Sequence, residues 1–448
     1  MSPKVVESTH GYSAKVAAIF LFNLLTGVGI LALPAAVAKA GLVSGILVLV
    51  TVAFMAFVSL TFVVEVLSTA NAWTMLHPKT NSKGSSQIYP CKNVGEKLAA
   101  KSKVTSNGGF NPFEIKEKVE MGHMAELFLG SAGSTFFYAV LCLYLYGDLA
   151  IYAVSVATTL TTTTGADPDI SYYSFLLGFL MIIGPFCFFN FQKTTYLQMF
   201  TMIMRNTAIV LMVILSAVDI ANGNRVPLDN IILCDVPETK ELLGMAVFSF
   251  MCHHSIAPII LLLKDKKKSF AVILFDYVIE LLYSSILILS AAINRPASEI
   301  NSLYTLNFGD YPIEMLAKFL SFYPVFTLSS NFPLVCITLR NNLLTLFKAK
   351  QFGYSQQVFT LVALIPPAAI AIFVHDIRKL VVLTGSFAGL AIMLVTPALL
   401  VLYSRHQLQC IIGSHWRDMH PHLSPFQHSA WIYLVLIFSA FVLFSKIF

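Results

Sequence analysis

Apolar residues fall along the chain in runs of about 20 separated by shorter polar stretches, the length a membrane-crossing helix needs. Such runs occupy 14–37, 43–68, 133–162, 172–191, 195–218, 242–262, 269–293, 313–337, 357–374, 380–403 and 427–447, which predicts eleven spans. The run at 357–374 is short and carries Pro366-Pro367. Two runs are interrupted. In the first, Asn23 and Thr26-Gly27-Val28-Gly29 precede Pro34, and glycines followed by a residue without an amide hydrogen weaken a helix. In the sixth, Phe248-Ser249-Phe250-Met251-Cys252-His253-His254-Ser255 leads to Pro258. Paired small residues alone mark close helix packing. Matching breaks five spans apart point instead to two inverted halves with a site near mid-membrane.

The pattern therefore predicts an all-α polytopic membrane protein built as a five-plus-five inverted repeat plus one helix. Its parts are a cytoplasmic N-terminus (1–13), a first repeat (14–218), a second repeat (242–403) and a last span (427–447). Composition narrows the class further. Of 448 residues, 57% are apolar or aromatic and 12% charged, about half the charged share of a soluble protein. Soluble enzyme folds are excluded. Thirty-six Phe and 17 Tyr exclude disorder. Seven cysteines, with no C-x-x-C pair, offer neither a zinc site nor a disulfide scaffold. The first run is too long for the apolar core of a signal peptide, so it is expected to stay as a span.

Charge supplies the orientation. The net charge of +6 sits mainly in blocks between apolar runs, a mark of topology and not of nucleic-acid binding. With the N-terminus inside, inner segments hold twenty Lys and Arg and outer segments seven. That predicts a cytoplasmic N-terminus and a C-terminus on the far side. The long polar segment 71–130 begins as a Ser-, Asn- and Gly-containing linker. Within 113–129, Phe113, Val119, Met124 and Leu127 recur at rough helical spacing. They suit an interfacial helix or a solvated cytoplasmic one.

A helix broken within the bilayer exposes amides with a positive dipole end, suited to a carboxylate. Its unwound carbonyls, here near Asn23 and Thr26, suit a small hard cation. Thr26, Gly27, Gly29, Phe248, Cys252 and His254 are accordingly the predicted substrate-binding residues. Gly29→Val is expected to block the solute without disturbing the fold. A channel would more naturally show a repeated filter or rings of charge.

At these residues the chain resembles the amino acid/auxin permease family of the amino acid–polyamine–organocation superfamily. The likeness rests on Asn23, on Thr26 to Pro34, and on Gly41. It continues in Tyr146-Gly147-Asp148, His254-Ser255-Ile256-Ala257-Pro258 and Thr396-Pro397-Ala398-Leu399-Leu400. A particular branch of that family is matched by Asn111-Pro112-Phe113-Glu114-Ile115, Val119-Glu120-Met121-Gly122 and Tyr144 to Tyr152. Tyr304-Thr305-Leu306-Asn307-Phe308 and Thr338-Leu339-Arg340-Asn341-Asn342 belong to the same match. The resemblance implies eleven helices and ion-coupled transport of amino acids. It also implies that span eight donates hydroxyls to a sodium site beside span one. The sequence departs from the family where Cys252-His253 replace the usual glycine of span six.

Ionisable residues inside spans default to functional roles. Asp148, Arg205, Asp276, Glu280 and the His253-His254 pair are the ones here. Arg205 has two readings, a bridge to Asp148 or Asp276 and a gate. Glu65 lies near the inner end of span two and can snorkel to the interface. Asp276 and Glu280 stand one helical turn apart, where two like charges repel and one is expected to carry a proton. In span eight, Thr327 and Ser330 are three apart and are taken as cation ligands, with Ser329 in reserve; their alternative is bonding back to the helix. The ion-coupling set is thus Asn23, Thr26, Thr327, Ser330, Asp148 and His254. Coupling to H+ would run through His254, since imidazole titrates near pH ~6.5, and coupling to Na+ through the oxygens.

Two function classes compete. One is a secondary transporter of amino acids or similar small zwitterions, with the bilayer and a small solute as partners and no cofactor besides Na+ or H+. The other is a non-transporting sensor or scaffold that keeps the transporter shape. No nucleophile–base set, Walker motif or metal cluster supports an enzyme or an ATP-driven pump.

Overall fold

The computed structural model describes residues 11–27, 29–76, 111–165, 167–189, 195–349 and 354–447. Residues 77–110 of the 71–130 linker lie outside them. The chain is a bundle of helices. In order they are α1 (Ala14–Leu25), α2 (Gly29–Ala40), α3 (Leu42–Leu76), α4 (Met121–Thr164), α5 (Pro168–Ile183) and α6 (Thr195–Ala221). Then come α7 (Val236–Ser249), α8 (Ala257–Leu262), α9 (Ser269–Asn294), α10 (Glu314–Leu346) and α11 (Ser355–Phe373). The last two are α12 (Ile377–Ile412) and α13 (Ser429–Ile447).

Nine of these helices, among the described residues, are long and apolar enough to cross a membrane. The pair α1 and α2, bent by 58°, makes a tenth. The run expected at 242–262 is present as α7 and α8, of 14 and 6 residues, each too short to cross alone. The breaks fall where the polar and glycine residues predict them. Pro366-Pro367 do not interrupt α11.

Local chemistry fixes several helix starts. Ser13, Asp235 and Asp376 each accept a backbone amide from the first turn of the helix that follows, which satisfies a donor left open at every N-terminus. In α12, two π turns at Gly385–Gly389 and Ala391–Val395 widen the coil.

The core forms where α4 lies along α10, α2 along α7, and α1 along α9. Around it α5, α6, α11 and α13 turn most of their surface outward. Met181, Ile182, Ile365, Phe373, Ile437 and Phe441 are exposed there. Water would not tolerate such a surface, but lipid matches it.

Loop contacts sort the segments between helices into two faces. On one face Tyr12 pairs with 262–264, its amide donating to the Leu262 carbonyl at 2.6 Å. On the same face Asn111 donates to the Met419 carbonyl, and Asn71 accepts from the amides of Lys116 and Glu117. On the other face Leu42 donates to Ile232, Asp235 to Ala40, and Val226 to Ile293. Arg378 there pairs with Glu238 and, at 2.8 Å, with Glu241. These two groups match the inner and outer segments that the charge count separates.

The stretch 113–129 is not one helix. Residues 111–120 are irregular and docked on protein: Ser68 donates to the Phe113 carbonyl, and the Phe113 ring lies 4.8 Å from that of His420. Phe113, Val119 and Met124 are buried inside the molecule and not in lipid. The helix begins at Met121 and turns at Gly130, whose φ of 74° and ψ of −170° suit glycine best.

Glu65 does not snorkel. It is 1% exposed and grips Arg405 of α12 through two bonds of 2.7 and 2.8 Å. It also accepts the Ser424 amide at 2.9 Å, while Arg405 reaches the carbonyls of Phe426 and Gln427. One carboxylate thus ties α3, α12 and the 413–428 connection together. Beside it His420 contacts the Thr69 hydroxyl at 3.2 Å. Burial, with His422 adding to it, pushes the His420 ring down to about 3, so it is neutral there.

Removing one partner of a buried bidentate pair leaves the other charge uncompensated. Glu65→Ala is expected to cost about 3–5 kcal/mol, measured as a lowered midpoint of thermal unfolding in detergent. A midpoint equal to that of the unaltered chain would show that the pair does not hold these elements.

Candidate functional site

A cavity of about 490 Å³ opens where α1 gives way to α2. Asn23, Gly27 and Leu31 line it from the broken first helix, and Ser255, Pro258 and Leu262 from the broken sixth. Tyr152 of α4, Arg205 of α6, and Tyr323, Thr327 and Asn331 of α10 close the other sides. Tyr12 and Leu262 at its rim place its mouth on the face that carries the N-terminal segment. On the opposite face 232–235 pairs with 40–44. The volume suits a small organic solute.

The breaks leave peptide groups that a bilayer cannot hydrate, and side chains take them up. Arg205 Nη2 donates to the Asn23 carbonyl at 3.0 Å. The Tyr277 hydroxyl donates to the Phe250 carbonyl at 3.1 Å. His253 Nε2 lies 3.1 Å from the Ala56 carbonyl and 2.9 Å from the Ser59 hydroxyl, which requires a proton on Nε2 for the first contact. Some polar atoms remain open. Asn23 Oδ1, Arg205 Nε, Asp276 Oδ2 and His254 Nδ1 are buried without a partner.

Thr26 joins the first break to a carboxyl group. Its Oγ1 lies 2.8 Å from the Phe22 carbonyl and 2.8 Å from Glu280 Oε2. A hydroxyl has one proton to give, so both bonds form together only when Glu280 donates one of its own. Glu280 and Asp276 are 2% and 1% exposed. They stand one turn apart on α9, which packs on α1, α2 and α3.

Of the predicted residues, Asn23, Gly27 and Thr327 meet in the large cavity. Thr26 is buried just behind it. Besides Thr26, four of the predicted substrate-binding residues do not line it. Gly29 is pressed against α7, where an added Cβ would strike the Ser249 hydroxyl and sit 3.0 Å from its Cα. Phe248 is buried with its ring 5.9 Å from Tyr144. Cys252 is buried with its sulfur 3.6 Å from the Tyr277 hydroxyl. His254, 5.8 Å from the Tyr144 ring, lines a smaller cavity of about 300 Å³ with Glu120, Thr338 and Asn342. His253 is wholly buried, so of the two histidines His254 is the one on a cavity.

Span eight divides differently from the expectation. Thr327 faces the large cavity, whereas Ser330 lines an apolar groove between α5 and α10 with Phe179 and Phe326; Ser329 lies in the same groove. Both Thr327 and Ser330 bond back to their own helix. They do not share a site. Asp148 is 9% exposed on α4, one turn from both Tyr144 and Tyr152, and does not line the large cavity. Arg205 has no carboxylate within ion-pairing distance among the described residues, so neither expected bridge forms. No group of three metal-binding side chains gathers among the described residues.

Sequence reasoning missed Tyr12, Tyr152, Tyr323 and Asn331 as lining residues. The last two had a signal: Tyr323, Thr327 and Asn331 are spaced by four and form one helical stripe.

The sequence model of a family described as transmembrane amino acid transporter protein matches residues 10–80, the stretch that holds α1 to α3. A transmembrane protein 104 homolog of Dictyostelium discoideum is 36% identical over 482 residues, covering 96% of each chain. Human transmembrane protein 104 is 35% identical over 491 residues, covering 99% of this chain and 97% of its own. A Drosophila melanogaster homolog is 32% identical and covers 97% and 96%.

The contact between Gly29 and Ser249 overturns the expectation that Gly29→Val would spare the fold. Gly29→Val is expected to lower the yield of folded protein sharply. Gly29→Ala should do so less, and Ser249→Gly in the same chain should recover part of the loss, because the two sites couple. Yield and unfolding midpoint across the four chains of the Ala/Gly cycle measure it. Additive losses would show that the contact is not the cause.

Proposed function

The chain belongs to the transmembrane protein 104 family, and from that premise we propose that it is a secondary active transporter of amino acids or similar small zwitterions, driven by protons. The observation that carries this reading is the open cavity at the meeting of two broken helices. The N-terminal amides of α2 and the guanidinium of Arg205 favour a carboxylate. Tyr and Asn oxygens around the same space, with Asn23 Oδ1 unpartnered, favour an ammonium group. The match of residues 10–80 to an amino acid transporter family supports the same solute class. An open cavity also favours a carrier over a scaffold that only keeps the shape. We read the chain as a carrier and not an enzyme.

We take the Tyr12 face, rich in Lys, as cytoplasmic. The cavity then opens inward, and the contacts of 40–44 with 232–235 and of Arg378 with Glu238 and Glu241 form the outer closure.

Coupling follows from the single proton of Thr26. With Glu280 protonated, the carboxyl donates to Thr26 while the Thr26 hydroxyl donates to the Phe22 carbonyl, beside the bond from the Thr26 amide. When Glu280 gives up its proton, Thr26 must turn its hydroxyl to the carboxylate and release Phe22. The Phe22 carbonyl then keeps the Thr26 amide alone, and the end of α1 is held less firmly at the hinge beside the solute. Asp276, one turn away with an unpartnered oxygen, is the adjoining station for the proton. This moves the proton-handling role from His254 and Asp148 to Glu280.

Proteoliposomes carrying the purified chain, screened across the proteinogenic amino acids under an imposed pH gradient, test the reading. A solute should accumulate with the proton gradient. Glu280→Gln should cut that accumulation by about tenfold or more, the worth of one charged hydrogen bond, while gradient-free exchange of the same solute survives. Undiminished accumulation by Glu280→Gln would refute the coupling. Absence of uptake of every amino acid, in protein shown to be folded, would refute the transporter reading.

A further inference from the structure

We propose that the smaller cavity, beside the second break, is a second zwitterion site, and that solute bound there holds the carrier open to the face bearing Tyr12. The site is read from the cavity itself, while the effect on transport rests on the transport reading.

That cavity, of about 300 Å³, lies between the second break, the start of α4 and the end of α10. Its rim carries a balanced pair of charges. Lys118 and Glu120 stand on the irregular stretch before α4, with Nζ and a carboxylate oxygen 2.7 Å apart and both side chains about half exposed. Asn341 and Asn342 of α10 line the same space, and Phe137, Leu141 and Ala257 give it an apolar side. His254 and Ser255 bound it at the break, where His254 Nδ1 is buried without a partner. An exposed ion pair is worth little, so a molecule that brings its own ammonium and carboxylate can open the pair and bond both halves. Carboxamides donate and accept, and so serve either group. A purely cationic or anionic molecule would satisfy one rim charge and meet the other as its like. The apolar side suits the side chain of an amino acid.

The two walls belong to different parts of the bundle. Ser255 and Pro258 lie between the two cavities and line both. They lead into α8, which the pairing of Tyr12 with 262–264 ties to the start of α1. The opposite wall is α4 and α10, which pack along one another in the core. Alternating access is a rocking of one group of helices against another, and closing the mouth of the large cavity moves α1 and α8 relative to α10. A molecule bonded to both walls of the smaller cavity holds them at their present separation. Solute that accumulates on this side thereby slows its own entry to it.

Two cysteine variants read the two cavities in the purified full chain. Asn331→Cys faces the large one and Asn341→Cys the smaller. Each is labelled with a maleimide in detergent, with every proteinogenic amino acid except cysteine added in turn, and read at that residue by mass spectrometry. At least one amino acid should protect Asn341→Cys in a saturable way. Adding Lys118→Gln together with Glu120→Gln, both at exposed positions, should raise the half-protecting concentration at Asn341→Cys by about tenfold or more. The same pair should leave protection of Asn331→Cys unchanged. Protection of Asn341→Cys that survives the paired change would come from a movement of the helices and would overturn the site, as would an Asn341→Cys that no amino acid protects. An Asn331→Cys without protection would count against the transport reading alone. In proteoliposomes, solute placed on the Tyr12 side should slow uptake by the unaltered chain and slow the paired variant less. Equal slowing would overturn the regulation and leave the site. If no amino acid is carried, the regulation falls with the transport reading, and the labelling still decides the site.

Discussion

A helix interrupted inside a bilayer has peptide groups that neither lipid nor its own next turn can bond. Two such interruptions, one between α1 and α2 and one at 250–256, organise the polar interior of this bundle. Arg205 takes the Asn23 carbonyl and Tyr277 the Phe250 carbonyl, while the Thr26 hydroxyl adds a second bond to the Phe22 carbonyl. His253 anchors the second break to α3 through Ala56 and Ser59. Arg205 and Tyr277 thus serve a broken backbone directly.

The same constraint explains why the site can move. An intact helix has one hydrogen-bonded state, whereas a break has side-chain partners that can exchange. Thr26 illustrates this with one proton and two acceptors, and Glu280 decides between them. Gly29 lets α2 approach Ser249 closely, so a shift at the first break is felt at the second. The ties that hold the rest still are stronger and lie elsewhere. The grip of Glu65 on Arg405 fixes α3 to α12 and to the connection before α13.

Much of the architecture was legible in the sequence because it is written locally. Apolar runs, glycine–proline breaks and lysine blocks report spans, hinges and faces without reference to distant residues. The misreadings share one cause, which is that contacts across the bundle have no local signature. Gly29 looks like a glycine cleared for a ligand, yet it is cleared for Ser249 on another helix. Glu65 looks like an interfacial residue, since its partner Arg405 lies 340 positions away. Thr327 and Ser330 sit about 60° apart on a helix with 3.6 residues per turn. The boundary between cavity and groove passes between them. Side chains of α6 line the cavity beside α10, and those of α5 line the groove.

The central claim is that the space between the two breaks is a solute path open to one face. Thiol reactivity within span eight tests it most directly. Asn331→Cys and Ser330→Cys, each treated with a membrane-impermeant maleimide from either side and read at that residue by mass spectrometry, should differ. The account predicts that Asn331→Cys reacts from the face bearing Tyr12 and is protected by a mixture of the proteinogenic amino acids. Ser330→Cys, in the apolar groove, should stay unreacted. Equal reactivity at the two positions, or an Asn331→Cys inert from both sides, would contradict it.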